Sequence, residues 1–117
     1  MAGFYGNPVA RHVRTSAVRC LTGTWSPLHN GTANLPGRQW IKWQARARDT
    51  IRMAVAYVNK NSDGTFTTPT YTAHGTFVYP ANAILEEPIS DDVTVYVRAV
   101  QNGGSTGGYK VIVSEFG

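Results

Sequence analysis

The sequence predicts an all-β protein: a single-domain two-layer β-sandwich, jelly-roll or immunoglobulin-like, with an irregular N-terminal arm. Three observations predict it. Apolar and polar residues alternate with period two in the segments around 40–48 and 93–100. Twelve Gly, six Pro, six Tyr, four Phe and three Trp, with many Thr and Val, favour short strands joined by tight turns. A length of 117 residues with 42% hydrophobic and 15% charged content fits one compact core.

The elements follow in order. Residues 1–8, MAGFYGNP, form an arm anchored by Phe4 and Tyr5, and residues 9–117 form the domain. Residues 9–22 read as extended; Val9, Val13, Val18, Cys20 and Leu21 are spaced too irregularly for one face, which a bulge near Ser16 and Ala17 would reconcile. SPLHNGTANLPG, 26–37, is a long loop with tight turns. In RQWIKWQARAR, Ile41, Trp43, Ala45 and Ala47 share one face while Trp40, Lys42, Gln44, Arg46 and Arg48 share the other. Residues 51–58 are apolar on both faces, as in a central strand; a helix over Ala45–Val58 is the rival.

NSDG, 61–64, signals a hairpin or loop, and TFTTPTYT reads as a strand demoted to an edge by Pro69. GTFVYP is a short strand, and ANAILEEP a connection anchored by Ile84 and Leu85. Val93, Val95, Val97 and Ala99 mark a strand, NGGSTGG a glycine-rich tip, and YKVIVSEF a partner that closes a C-terminal hairpin. No repeat is visible, which removes propellers and solenoids.

Charge divides along the chain. Residues 1–60 hold nine Lys and Arg against Asp49 alone, a net of +8, and residues 61–117 hold Arg98 and Lys110 against six acids, a net of −4. Copies of the chain could meet positive to negative, or the halves could interleave and disperse the asymmetry. A single cysteine, Cys20, excludes an internal disulfide and suggests a reducing compartment. No apolar run follows Arg11 and Arg14, so no secretory signal is expected, and no stretch suits a membrane span.

Catalytic and metal signals are weak. Asn59, Asn61, Asp63 and Gly64 match the first half of a calcium loop, but Thr70 stands where the bidentate glutamate belongs, and an Asx-rich turn uses the same residues. His12, His29 and His74 lack paired metal spacing. Glu86 and Glu87 point to opposite faces if extended. Asn30-Gly31-Thr32 fits a glycosylation pattern, discounted because no secretory signal is expected. No enzyme and no cofactor is expected.

The cationic row is the leading surface feature. Lys42, Gln44, Arg46 and Arg48, with Trp40 at one end, would project at intervals of roughly 6.7 Å, with Arg52 following. Trp and Arg are residue types enriched at protein interfaces. The row would meet an acidic surface such as Glu86, Glu87, Asp91 and Asp92 on another copy or another partner. A nucleic-acid site would want more aromatics on that face. A sugar-binding module with Trp25, Trp40, Tyr71 and Tyr109 as platforms is the other possibility.

The aromatic arm MAGFYGNP, the Thr- and Val-rich β-domain, the lone cysteine, the tip NGGSTGG and the charge division together resemble small structural proteins of tailed-phage virions, particularly capsid decoration or cement proteins. The resemblance implies a β-sandwich or β-tulip, often trimeric, that sits in the virion and braces neighbouring major capsid proteins. A neck, tail or head-fibre component fits the same residues. The expected partners are thus a virion protein and sister subunits, without membrane and without nucleic acid.

Overall fold

The structure is a computed structural model that describes residues 12–48, 50–70, 76–100 and 108–117. Among the described residues eight strands form two antiparallel sheets of four: β1 (Val13–Cys20), β2 (Ser26–Pro27), β3 (Trp40–Arg46), β4 (Ile51–Asn59), β5 (Phe77–Tyr79), β6 (Ile84–Glu87), β7 (Val93–Ala99) and β8 (Tyr109–Phe116). One sheet runs β1-β8-β3-β6 and the other β2-β7-β4-β5. The pairs β1·β8, β2·β7, β3·β6 and β4·β5 are those of a single antiparallel ribbon folded at the β4–β5 connection and rolled up, which is the jelly-roll winding. The expected sandwich is present, and the immunoglobulin-like alternative is set aside.

Period-two patterning explains the layers. Ile41, Trp43 and Ala45 of β3 and Val111 and Val113 of β8 face inward against Ile51, Met53, Val95 and Val97 from the other sheet. Trp43 stacks on Tyr79, centroids 5.8 Å apart at 11°. The Tyr79 hydroxyl accepts a hydrogen bond from the Ala45 amide at 2.8 Å and donates to the Ala83 carbonyl, so the buried phenol is satisfied. β4 is apolar on both faces, as its sequence predicts. On its outer side Ala54 and Ala56 leave room that Trp25 and Tyr96 fill, and the Arg98 guanidinium lies 5.9 Å from the Trp25 ring centroid.

Several expectations are corrected. The helix over Ala45–Val58 is excluded, because β3 ends at Arg46 and β4 begins at Ile51 in the opposite sheet. β1 has no bulge: its register with β8 is unbroken from Val13↔Phe116 to Cys20↔Tyr109. Its pattern looked irregular because its inward positions are Arg14, Ser16, Val18 and Cys20, half of them polar. Thr65–Thr70 is not a strand, and the rest of TFTTPTYT lies outside the described residues, as do the arm with Phe4 and Tyr5 and the NGGSTG part of the glycine-rich tip. Ile84–Glu87 is an edge strand rather than a connection; Leu85 packs on the core while Ile84 is 60% exposed. β7 and β8 do not form the closing hairpin, since they sit in opposite sheets; among the described residues only β4 and β5 are both consecutive and paired.

Strand direction gathers the connections after β1, β3, β5 and β7 at one end and those after β2, β4 and β6 at the other. At the first end Asn82, with φ of 63°, clamps the β3–β4 turn: its amide oxygen accepts from the Ala47 amide at 3.3 Å and its amide nitrogen donates to the Ala47 carbonyl at 3.1 Å. Gly108 enters β8 at φ of 77°, and a Cβ there would stand 2.4 Å from the Cys20 carbonyl oxygen.

Candidate interaction face

Register across β1, β8, β3 and β6 arranges the outer side of that sheet into four rows, because directly opposed residues share a face. Nearest the chain's last residue lie Val13, Phe116 and Trp40, with Val13 57% and Trp40 38% exposed. Next come Thr15, Ser114, Lys42 and Glu86; the first two hydroxyls hydrogen-bond at 3.3 Å, and Lys42 Nζ lies 6.0 Å from the Phe116 centroid. The third row is Ala17, Ile112, Gln44 and Ile84. An open depression between Lys42, Gln44, Ile84, Ile112 and Ser114 joins the second and third rows. The fourth row is Arg19, Lys110 and Arg46, all exposed, with no acidic partner among the described residues.

The predicted stripe is therefore real as far as β3 reaches: Trp40, Lys42 and Arg46 share the outer face. Arg48 lies beyond the strand, exposed in the β3–β4 turn. Arg52 is on the other sheet, where its guanidinium donates to Thr76 Oγ1 at 3.1 Å. The acids do not form one separate surface. Glu86 stands opposite Lys42 within the same face, while Glu87 faces the other way and accepts from the Tyr57 hydroxyl at 2.7 Å. Asp91 accepts from the Gly37 amide at 2.8 Å, and Asp92 pairs with Lys60 at 3.4 Å.

The Asx-turn reading of the calcium-like segment accounts for its contacts. Asp63 accepts from the amide and hydroxyl of Thr65 at 3.0 and 2.6 Å, and Asn61 donates to the hydroxyls of Thr65 and Thr67. The Thr65 hydroxyl is the main cause of a lowered Asp63 pKa. Among the described residues no group of three or more His, Cys, Asp or Glu is placed to hold a metal ion. Cys20 is buried between the sheets, and desolvation pushes its thiol up to about 12.

Sequence reasoning passed over a buried network at the end opposite the cation row. Glu115 is fully buried on β8 and accepts from Arg14 Nε and Nη2 at 3.1 and 2.8 Å, from Arg38 Nη1 at 2.8 Å and from the Leu35 amide at 2.9 Å. Arg38, 1% exposed, uses all five donors: it also reaches Asn34 Oδ1 and the carbonyls of Ile89, Ser90 and Val93. Asn34 Nδ2 adds Asp91 O, Val93 O and Thr94 Oγ1. The network ties the β2–β3 loop to the β6–β7 loop and β8, so these charges are structural. Among the described residues every ion pair, Arg14–Glu115, Arg38–Glu115 and Lys60–Asp92, joins the cationic half of the sequence to the acidic half.

Charge thus segregates by end rather than by sequence half. Arg19, Arg46, Arg48, Arg52, Arg98 and Lys110 lie toward one end; Asp63, Glu86, Glu87, Asp91, Asp92 and Glu115 lie toward the other with Arg14, Arg38, Lys42 and Lys60. Arg19 and Lys110 were missed because their place beside Arg46 depends on register, which period-two patterning does not encode.

No family model, curated protein or solved structure matches the chain. Fold and face define its class: an eight-stranded jelly-roll domain with one chemically banded sheet face.

Proposed function

We propose that the protein is a non-enzymatic assembly protein, a structural component of a virion of the decoration or cement type, that grips a neighbouring protein through the outer face of the β1-β8-β3-β6 sheet. The observation that carries this reading is the cation row Arg19–Lys110–Arg46 lying beside the exposed Ile84 and the half-buried Ile112. Like charges directly opposed across strands destabilise a sheet, so a row of three is a feature that a partner compensates. The adjoining aliphatic row favours a protein partner over a polyanion, which offers nothing for Ile84 to cover. Jelly rolls serve in viral capsids and in lectins, and the fold alone does not choose between them.

Sedimentation velocity at about 0.05 M and about 0.5 M salt tests the reading, because the cationic end will find the acidic end of another copy when no other partner is present. Association that dissolves in salt, and that Arg46→Glu with Lys110→Glu removes, is the expected result. A sedimentation coefficient indifferent to both salt and substitution would overturn it. The exposed Trp40 beside Phe116 favours a second reading, sugar binding at the opposite margin of the same face; glycan-array binding that Trp40→Ala abolishes would select it.

A further inference from the structure

The spacing of the outer-face rows carries the proposed docking further and names the shape of the partner. Arg19, Lys110 and Arg46 lie on three adjacent strands, so their backbone positions step by about 4.8 Å and span roughly 10 Å across the strands. Acids three or four residues apart on a helix lie about 5–6 Å from one another, and seven residues advance about 10.5 Å along its axis. An extended strand presents same-side residues at roughly 6.7 Å, so two steps already overshoot the row. One row inward, again roughly 6.7 Å away, lie Ala17 on β1, Ile112 on β8 and Gln44 on β3, with Ile84 on β6 beside Gln44; the step between rows falls within the about 10–12 Å diameter of a helix with its side chains.

We infer that this face takes an amphipathic acidic helix of a different protein, lying across the strands with acids at i, i+3 or i+4 and i+7 over Arg19, Lys110 and Arg46 and its apolar flank over Ala17, Ile112 and Ile84. The helix comes from elsewhere because the described residues of this chain form only strands and irregular segments. Among the described residues four of the chain's own acids already have partners, Glu87 with Tyr57, Asp91 with Gly37, Asp92 with Lys60 and Glu115 with two arginines, so pairing with another copy is the weaker use of the row and a separate acidic helix the better-matched one. Arg48, beyond the end of β3, extends the positive field toward one end of the helix. The inference rests on the docking reading above and adds the partner's secondary structure and charge pattern.

The test uses the full chain and synthetic peptides of about 20 residues, long enough to hold a helix when bound. One carries Glu at the stated spacing beside a Leu stripe, and a second has the same composition scrambled. Fluorescence anisotropy should give at least about tenfold tighter binding for the patterned peptide, which circular dichroism should show becoming helical on the protein. Lys110→Glu with Arg46→Glu should abolish that binding. Arg52→Glu, a charge reversal on the other sheet, should leave it within about twofold. Equal affinity for the scrambled peptide, or for an oligonucleotide of matched charge, would overturn the inference. If no peptide binds while salt-labile self-association persists, the helix is wrong and the assembly reading stands; if the patterned peptide binds but self-association is absent, the reverse holds.

Discussion

The two ends of the sandwich use arginine in opposite ways. At one, Arg14 and Arg38 are spent on Glu115, and every polar hydrogen of the buried guanidinium has an acceptor. At the other, Arg19, Lys110 and Arg46 stand side by side with no acid among the described residues. The chain there is held by backbone fit at Asn82 and Gly108 instead of by charge. Charge that is desolvated must be matched inside the molecule, whereas charge left in water is available to a second one.

The largest expected effect breaks the structural end. Glu115→Ala strands two arginines, one of them buried, and should lower unfolding free energy in urea by about 3–5 kcal/mol. The double replacement Arg38→Met with Glu115→Met should destabilise less than the two single changes added, because it leaves no half-pair behind. At the cationic end Gly108→Ala sets a Cβ against the Cys20 carbonyl in a left-handed conformation, and should remove about 1–3 kcal/mol by the same measurement. Lys110→Glu acts with the opposite sign: flanked by Arg19 and Arg46, it should raise stability by about 0.2–1 kcal/mol per new cross-strand pair while docking is lost. A stabilising substitution that disables the protein would be the clearest mark that the row exists for a partner.

The smallest effect is a pH dependence. Burial lowers the pKa of His29, whose Nδ1 accepts from the Gly31 amide. The unfolded chain therefore takes up the proton more readily, and stability should fall as pH drops through the ordinary histidine range near 6.5. Melting curves of His29→Gln should lose that slope.

Much of the fold was legible because period two reports a strand's own faces. Ile41, Trp43 and Ala45 turn inward, and Trp40, Lys42 and Arg46 outward, as their order demands. Strand neighbours were not legible: the Val-rich run at 93–99 and the run at 109–116 look like two arms of a hairpin, yet the jelly-roll winding sends them to different sheets. That is why Lys110 and Arg19 were not joined to Arg46. Glu115 could have been found, since it falls in phase with Val111 and Val113, a charge at a core position. Arg38 has no such signal, because it lies in a loop whose burial depends on its contacts across the fold.

The first strand of the jelly roll pairs with its last, and the Arg14–Glu115 bond closes a separation of 101 residues. So non-local a closure makes folding slow, on a scale of about milliseconds to seconds, and leaves β1 waiting for β8. During that wait β1 is a bare strand that any other chain could template. Arg14 and Arg19 then act as gatekeepers, breaking up its aliphatic stretch before the native partner arrives. The same two side chains that end up serving opposite ends of the finished molecule protect it while it is still being made.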